Sequence, residues 1–101
     1  MINVALLGFG RIGQMHAQNI YLNKTLNLLY VYEKIDKLRK KAKNLYNCKI
    51  EKDYKKIFSD KKVDIIFIST PTNTHIRFIE EGIKYEDRKS TRLNSSHNQI
   101  S

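Results

Sequence analysis

The chain has 101 residues, 41% of them apolar, and carries 19 Lys and Arg against 10 Asp and Glu for a net charge of +9. That length admits one domain and leaves no room for a complete two-domain enzyme. There is no apolar run long enough to span a membrane, the short apolar start broken by Gly8 and Gly10 does not read as a signal peptide, and the single Cys48 excludes an internal disulfide, so a cytoplasmic chain is expected.

In chain order, Ile2–Leu7 is a near-continuous apolar run, the pattern of a buried parallel strand. Gly8-Phe9-Gly10-Arg11-Ile12-Gly13 follows directly. A strand, then G-x-G-x-x-G, then a helix is the sequence context of a dinucleotide-binding turn. Gly8 permits the tight turn, Gly10 lets the backbone approach a pyrophosphate, and Gly13 allows close helix–strand packing. The phosphates of such a ligand rest at the helix N-terminus, where free N–H groups favour negative charge.

The spacing predicts a helix from Arg11 to about Leu22, with Ile12, Met15, His16 and Ile20 inward. Asn23-Lys24-Thr25 is a turn, and Leu26–Glu33 a second strand. Ile35–Tyr46 is an amphipathic helix with Ile35, Leu38, Ala42 and Leu45 on one face and lysines on the other. A short third strand is expected near Cys48–Glu51 and a helical turn over Tyr54–Phe58. Asp64–Thr70 is the fourth strand, ended by Pro71, and a helix from about Asn73 or Thr74 to Ile83 places Ile76, Ile79 and Ile83 inward. Alternating strands and helices imply an α/β class: a partial Rossmann fold of about four parallel strands with helices on both faces, followed by an irregular tail.

Two further features bear on a ligand. Glu33 stands at the end of the second strand, twenty residues after Gly13. A carboxylate there accepts hydrogen bonds from ribose hydroxyls and repels a 2′-phosphate, which favours NAD over NADP; the neighbouring Lys34 opposes that preference, and NADP stays open. The alternative role for Glu33 is capping of the next helix. Ser69-Thr70-Pro71-Thr72-Asn73-Thr74-His75 leaves the C-terminal end of the fourth strand, the edge where open α/β sheets bind ligands. Ser69, Thr70, Pro71, Asn73 and His75 are its cofactor-lining candidates, with helix capping by Asn73 or Thr74 as the alternative. His16 and Cys48 are read as structural. No catalytic residue and no metal ligand set is assigned.

Residues 87–101 differ in character from the body, rich in Ser, Arg, Asn and Thr and poor in apolar residues, as a disordered end would be. Asp87-Arg88-Lys89-Ser90-Thr91-Arg92-Leu93-Asn94-Ser95-Ser96-His97 also resembles a frame translation of a short-read sequencing adapter, with Asn98-Gln99 in the variable index and Ile100-Ser101 where the adapter resumes. The expectation is therefore an incomplete dinucleotide-binding domain over 1–86 and a non-native tail over 87–101.

Residues 1–85 resemble the N-terminal domain of the Gfo/Idh/MocA oxidoreductase family. The resemblance rests on Gly8–Gly13 followed by Met15-His16-Ala17, on Glu33, and on Ser69-Thr70-Pro71-Thr72-Asn73-Thr74-His75. The Arg11-Ile12-Gly13 and His16-Ala17 pairing is similar to the inositol dehydrogenase branch; Glu33 replaces the more usual Asp. The resemblance implies hydride transfer between a sugar or cyclitol hydroxyl and a nicotinamide cofactor, with a homo-oligomeric parent protein. It also implies a Glu-Lys-Pro motif with a catalytic lysine and a C-terminal substrate domain. Neither occurs in this chain, so cofactor binding without turnover is expected.

Other readings stay open. Glyceraldehyde-3-phosphate dehydrogenase also carries Gly-Phe-Gly-Arg-Ile-Gly after its first strand, although the basic second helix and the Thr70-Pro71 loop disfavour it. A methyltransferase shares the acidic strand end but not the glycine spacing. Between Lys34 and Lys62 twelve basic residues face four acids, which a nucleic-acid-binding module would use; without interleaved aromatics they read as a solvated face. A catalytically inactive NAD sensor on the same domain is a further reading.

Overall fold

Val4, Ala5, Leu6 and Leu7 are all buried, because the strand they form lies inside a sheet covered on both sides. The computed structural model describes residues 1–70 and the backbone of 92–95. Its elements are β1 (Ile2–Leu7), α1 (Arg11–Leu22), β2 (Leu26–Tyr32), α2 (Asp36–Tyr46), β3 (Lys49–Glu51), α3 (Tyr54–Phe58), β4 (Ile65–Ile68) and β5 (Arg92–Ser95). The strands are parallel and ordered β3-β2-β1-β4-β5. The chain moves outward from β1 to β3, then crosses back to place β4 on the other side of β1.

Alternate side chains of β1 enter two cores, as strand geometry requires. Val4 and Leu6 join Phe9, Ala17, Ile20, Leu28, Val31, Ala42 and Cys48 under α1 and α2. Ala5 and Leu7 join Ile57, Phe58, Val63, Ile66 and Ile68 under α3. Phe58 is fully buried, and withdrawing a side chain of that size from water contributes about 2–3 kcal/mol. The N-terminal ends of the strands are tied by Asn3, whose N–H donates to Asp64 Oδ2 at 2.8 Å and whose amide donates to the Lys62 carbonyl at 2.9 Å.

The helix termini follow local chemistry. Asp53 caps α3 by accepting from the Lys55 N–H. Asn47 ends α2 in the left-handed region, φ 51°, with its N–H on the Lys43 carbonyl. The helices bury less of their predicted faces than expected. On α1 the buried residues are Gly13, Ala17 and Ile20, while Met15 is exposed. On α2 Ala42 is buried, but Ile35 and Leu45 are exposed; Tyr46 supplies the packing instead, against Phe9 and Tyr21. Rotating each helix to bring its small residue onto the sheet turns these larger ones outward.

To the four strands expected from the sequence the structure adds a fifth. The expected irregular run over 87–101 is interrupted at Arg92–Ser95, whose backbone pairs with β4 from Ile65↔Arg92 to Ile68↔Ser95. An unpaired strand edge is a row of free N–H and C=O groups, and an adjacent extended segment satisfies it. The expected helix after Pro71 lies outside the described residues.

Candidate functional site

β1 and β4 are parallel neighbours from which the chain proceeds to opposite sides of the sheet, and in open α/β sheets ligands bind in the crevice outside the C-terminal ends of such a pair. The residues there are Gly8–Gly13, leaving β1, and Ser69–Thr70, leaving β4. Glu33 joins them from the end of β2.

The three glycines differ physically. Gly8 has φ +104°, a conformation L side chains rarely adopt, and its N–H donates to the Tyr32 carbonyl at 2.8 Å. A Cβ on Gly13 would lie 2.2 Å from the Gly8 carbonyl oxygen and 3.0 Å from Ser69 Oγ, so no side chain fits. A Cβ on Gly10 would meet nothing within 4 Å among the described residues. Packing thus requires the first and third glycines, whereas the second borders open space.

That space faces the start of α1. Gly10 is its N-cap, with no side-chain capping bond and no acid in the first turn. The first intrahelical bond runs from the Gln14 N–H to the Gly10 carbonyl at 2.9 Å. Among the described residues none accepts from the N–H groups of Arg11, Ile12 or Gly13. An anion is the natural partner for such a terminus.

Phe9 contributes backbone rather than side chain. Its ring is buried, edge-on to Tyr46 with centroids 6.4 Å apart. Its N–H donates to Glu33 Oε1 at 2.8 Å, and Glu33 Oε2 accepts from the Ile35 N–H at 3.1 Å. The carboxylate therefore sits beside the glycine turn and also holds the backbone that enters α2. The Phe9 carbonyl accepts from Gln14 Nε2 at 3.1 Å, and Gln14 Oε1 accepts from Lys41 Nζ at 2.9 Å.

Arg39 was not anticipated. Its Nη1 donates to the carbonyls of Glu33 and Lys34 at 2.7 and 2.9 Å, and its Nη2 to Asp36 Oδ1 at 3.0 Å. Lys40 and Arg39 beside Asp36 hold that carboxyl below its ordinary range. The Asp36 spacing to Arg39 and Lys40 is a readable helical pair, but nothing local marks Arg39 for the Glu33 carbonyl.

On the opposite wall, Ser69 Oγ donates toward the Gly8 and Leu7 carbonyls at 3.1 and 3.2 Å. Thr70 is 7% exposed and its Oγ1 has no hydrogen-bond partner among the described residues. A buried hydroxyl without a partner is costly, and it lies beside Gly8, with Cγ2 3.1 Å from where a Gly8 Cβ would be. Pro71, Asn73 and His75 lie outside the described residues. His16 packs against Phe67 with ring centroids 5.0 Å apart and planes inclined at 46°, and burial lowers its pKa. Cys48 is buried against Ala42, and burial raises its thiol pKa. Both fit structural roles.

An α1 start with no acceptor among the described residues, a glycine with no described neighbour at its Cβ position and a carboxylate beside the turn suit this end of the sheet to an anionic ligand. The profile of the Gfo/Idh/MocA oxidoreductase family, described by its NAD-binding Rossmann fold, matches residues 2–87. The myo-inositol 2-dehydrogenase of Thermotoga maritima is 30% identical over 80 residues, covering 77% of this chain and 24% of that protein. The inositol 2-dehydrogenase of Rhizobium meliloti is 30% identical over 79 residues, covering 78% and 24%. The solved structure of scyllo-inositol dehydrogenase from Lactobacillus casei, with bound NAD(H) and scyllo-inositol, superposes with a TM-score of 0.83 at 22% identity, covering 94% of this chain and 27% of that one. The chain spans about a quarter of the length of these relatives.

Proposed function

The chain belongs to the Gfo/Idh/MocA oxidoreductase family, and from that premise we propose that residues 1–86 hold a nicotinamide dinucleotide across the β1–β4 crevice. The observation that carries this is the pairing of the uncapped α1 terminus with the open space at Gly10. In this reading the N–H groups of Arg11, Ile12 and Gly13 receive the pyrophosphate, with Gly8, Phe9 and Gly10 shaping the turn. Glu33 accepts from the adenosine ribose. Thr70, with Pro71, Asn73 and His75 after it, lines the nicotinamide half.

The cofactor preference is for NAD over NADP. The Glu33 carboxylate, held by two backbone N–H groups, repels a 2′-phosphate. Arg39, the guanidinium nearest in sequence, is already engaged by two carbonyls and Asp36. Lys34 offsets part of that repulsion without removing it.

The bound dinucleotide would supply hydride transfer, and the protein its orientation. The inositol 2-dehydrogenases among its relatives point to a cyclitol hydroxyl as the parent protein's substrate. This chain contains no Glu-Lys-Pro, so binding without turnover is its expected behaviour. Residues 87–101 are taken as a separate, non-native tail. A cytoplasmic place and a homo-oligomeric parent complete the proposal.

Calorimetric titration of the chain with NAD and with NADP tests it. Saturable binding of NAD, tighter than NADP by about tenfold, is the expected result. No binding of either dinucleotide overturns the reading. NADH formation from NAD and a cyclitol would overturn the expectation of no turnover.

A further inference from the structure

The Gly8 carbonyl is held from two sides. Against one lies Gly13, so near that an added Cβ would be 2.2 Å from the oxygen. Against the other lies the Ser69 hydroxyl, with Oγ 3.1 Å from Gly8 O and 3.2 Å from Leu7 O. The hydroxyl has one proton for these two acceptors, and Leu7 O already receives the Ser69 N–H at 2.8 Å. Gly8 O has no backbone N–H donor among the described residues outside the regular elements, which makes the hydroxyl its evident partner. The contact joins residues 61 apart in sequence, across the crevice rather than along one wall.

We propose that Ser69 is a positioning residue for the pyrophosphate: its hydroxyl fixes the Gly8 carbonyl beneath Gly13 and so sets where the free N–H groups of Arg11, Ile12 and Gly13 point. This rests on the dinucleotide reading and assigns Ser69 a role inside the protein, not on the ligand. The mechanism is local. The Gly8 carbonyl and the Gly13 methylene are in contact, so a turn of the Gly8 peptide shifts the first turn of α1. The Phe9 N–H that donates to Glu33 Oε1 belongs to the same peptide unit as the Gly8 carbonyl, so the adenosine end feels a turn of that peptide too, but less, because Glu33 keeps its second bond to the Ile35 N–H.

Ser69→Ala and Ser69→Thr separate the possibilities, the second keeping a hydroxyl at the same position. The readouts are Kd for NAD, ADP and adenosine by titration followed in amide NMR spectra of the whole chain, and amide exchange of Arg11–Gly13 without ligand. Ser69→Ala is expected to weaken NAD and ADP about tenfold, weaken adenosine by much less, and speed exchange at those three amides. Ser69→Thr is expected to restore all three. Unchanged NAD and ADP affinity in Ser69→Ala overturns the positioning role, and so does an equal loss for adenosine, which marks general destabilisation. Failure of Ser69→Thr to restore binding while its spectrum stays folded also overturns it. If the unaltered chain binds no nucleotide, the dinucleotide reading fails and the positioning role falls with it. Binding by the unaltered chain, with no response to Ser69→Ala, removes only the latter.

Discussion

Glu33 accepts the Phe9 N–H at 2.8 Å, so the end of β2 is fastened to the glycine turn after β1. The bond spans 24 residues and brings a negative charge to the mouth of the crevice. The geometry of the turn thus depends on a carboxylate from the neighbouring strand.

Replacing Glu33 with Gln keeps an oxygen for the Phe9 N–H but removes the charge. NAD binding is expected to weaken by about tenfold, since hydrogen bonds to a charged acceptor are about twice as strong as neutral ones. NADP is expected to weaken less, narrowing the preference. Calorimetry with both dinucleotides checks this; an unchanged NAD to NADP ratio would remove Glu33 from the ligand site.

The glycines predict opposite phenotypes. Gly10 has φ −74° and ψ −164°, ordinary extended backbone, and no neighbour near its Cβ position. Gly10→Ala should therefore leave the stability within about 0.5 kcal/mol of the unaltered chain while blocking NAD. Gly13→Ala must displace the Gly8 carbonyl and should destabilise by about 2–3 kcal/mol. Thermal melts with and without NAD distinguish them.

Tyr30 donates to Asp60 Oδ2 at 2.6 Å. That bond, with burial and the charges of Asp60 and Glu51, pushes the phenol up to about 12, and it draws the Asp60 carboxyl below 3.8. The raised phenol stabilises fully below its unfolded value of 10.0 and loses this as pH rises toward about 12. The lowered carboxyl stabilises above its unfolded value of 3.8 and loses this as pH falls through its folded value. The melting difference between the unaltered chain and Tyr30→Phe should be flat from about pH 5 to 9 and shrink on both sides. A difference independent of pH would show that the pair does not couple to folding.

Truncation after Glu86 removes β5 and leaves Ile65–Ile68 at the sheet edge. Apolar edges self-associate. Sedimentation of residues 1–86 should show concentration-dependent assembly exceeding that of the full chain, and a monodisperse monomer would contradict it.

Much of this was legible in sequence because its causes are local. The glycine spacing and the apolar run before it set β1 and α1, whose bounds were read as the structure has them, and Tyr54–Phe58 likewise. The place of Glu33 just after β2 is legible from the apolar run before it. What escaped was contact between distant segments. Ser69 reads as a ligand-lining hydroxyl until β4 is known to deliver it to the Gly8 carbonyl. Arg39 and Lys41 read as solvated charges until α2 lies beside the turn. The helix faces were misjudged for a related reason: periodicity marks an apolar side, but close packing favoured Gly13, Ala17 and Ala42 at the sheet, and the bulk of Met15 and Leu45 was turned away.

The ladder that receives Arg92–Ser95 has a consequence for how such proteins tolerate accident. Its bonds ask only for amides and carbonyls at the right rise, with no demand on what those residues are called. A lane of that kind is indifferent to the ancestry of its lodger. Any segment able to lie extended beside β4 can therefore close that edge, whatever its side chains.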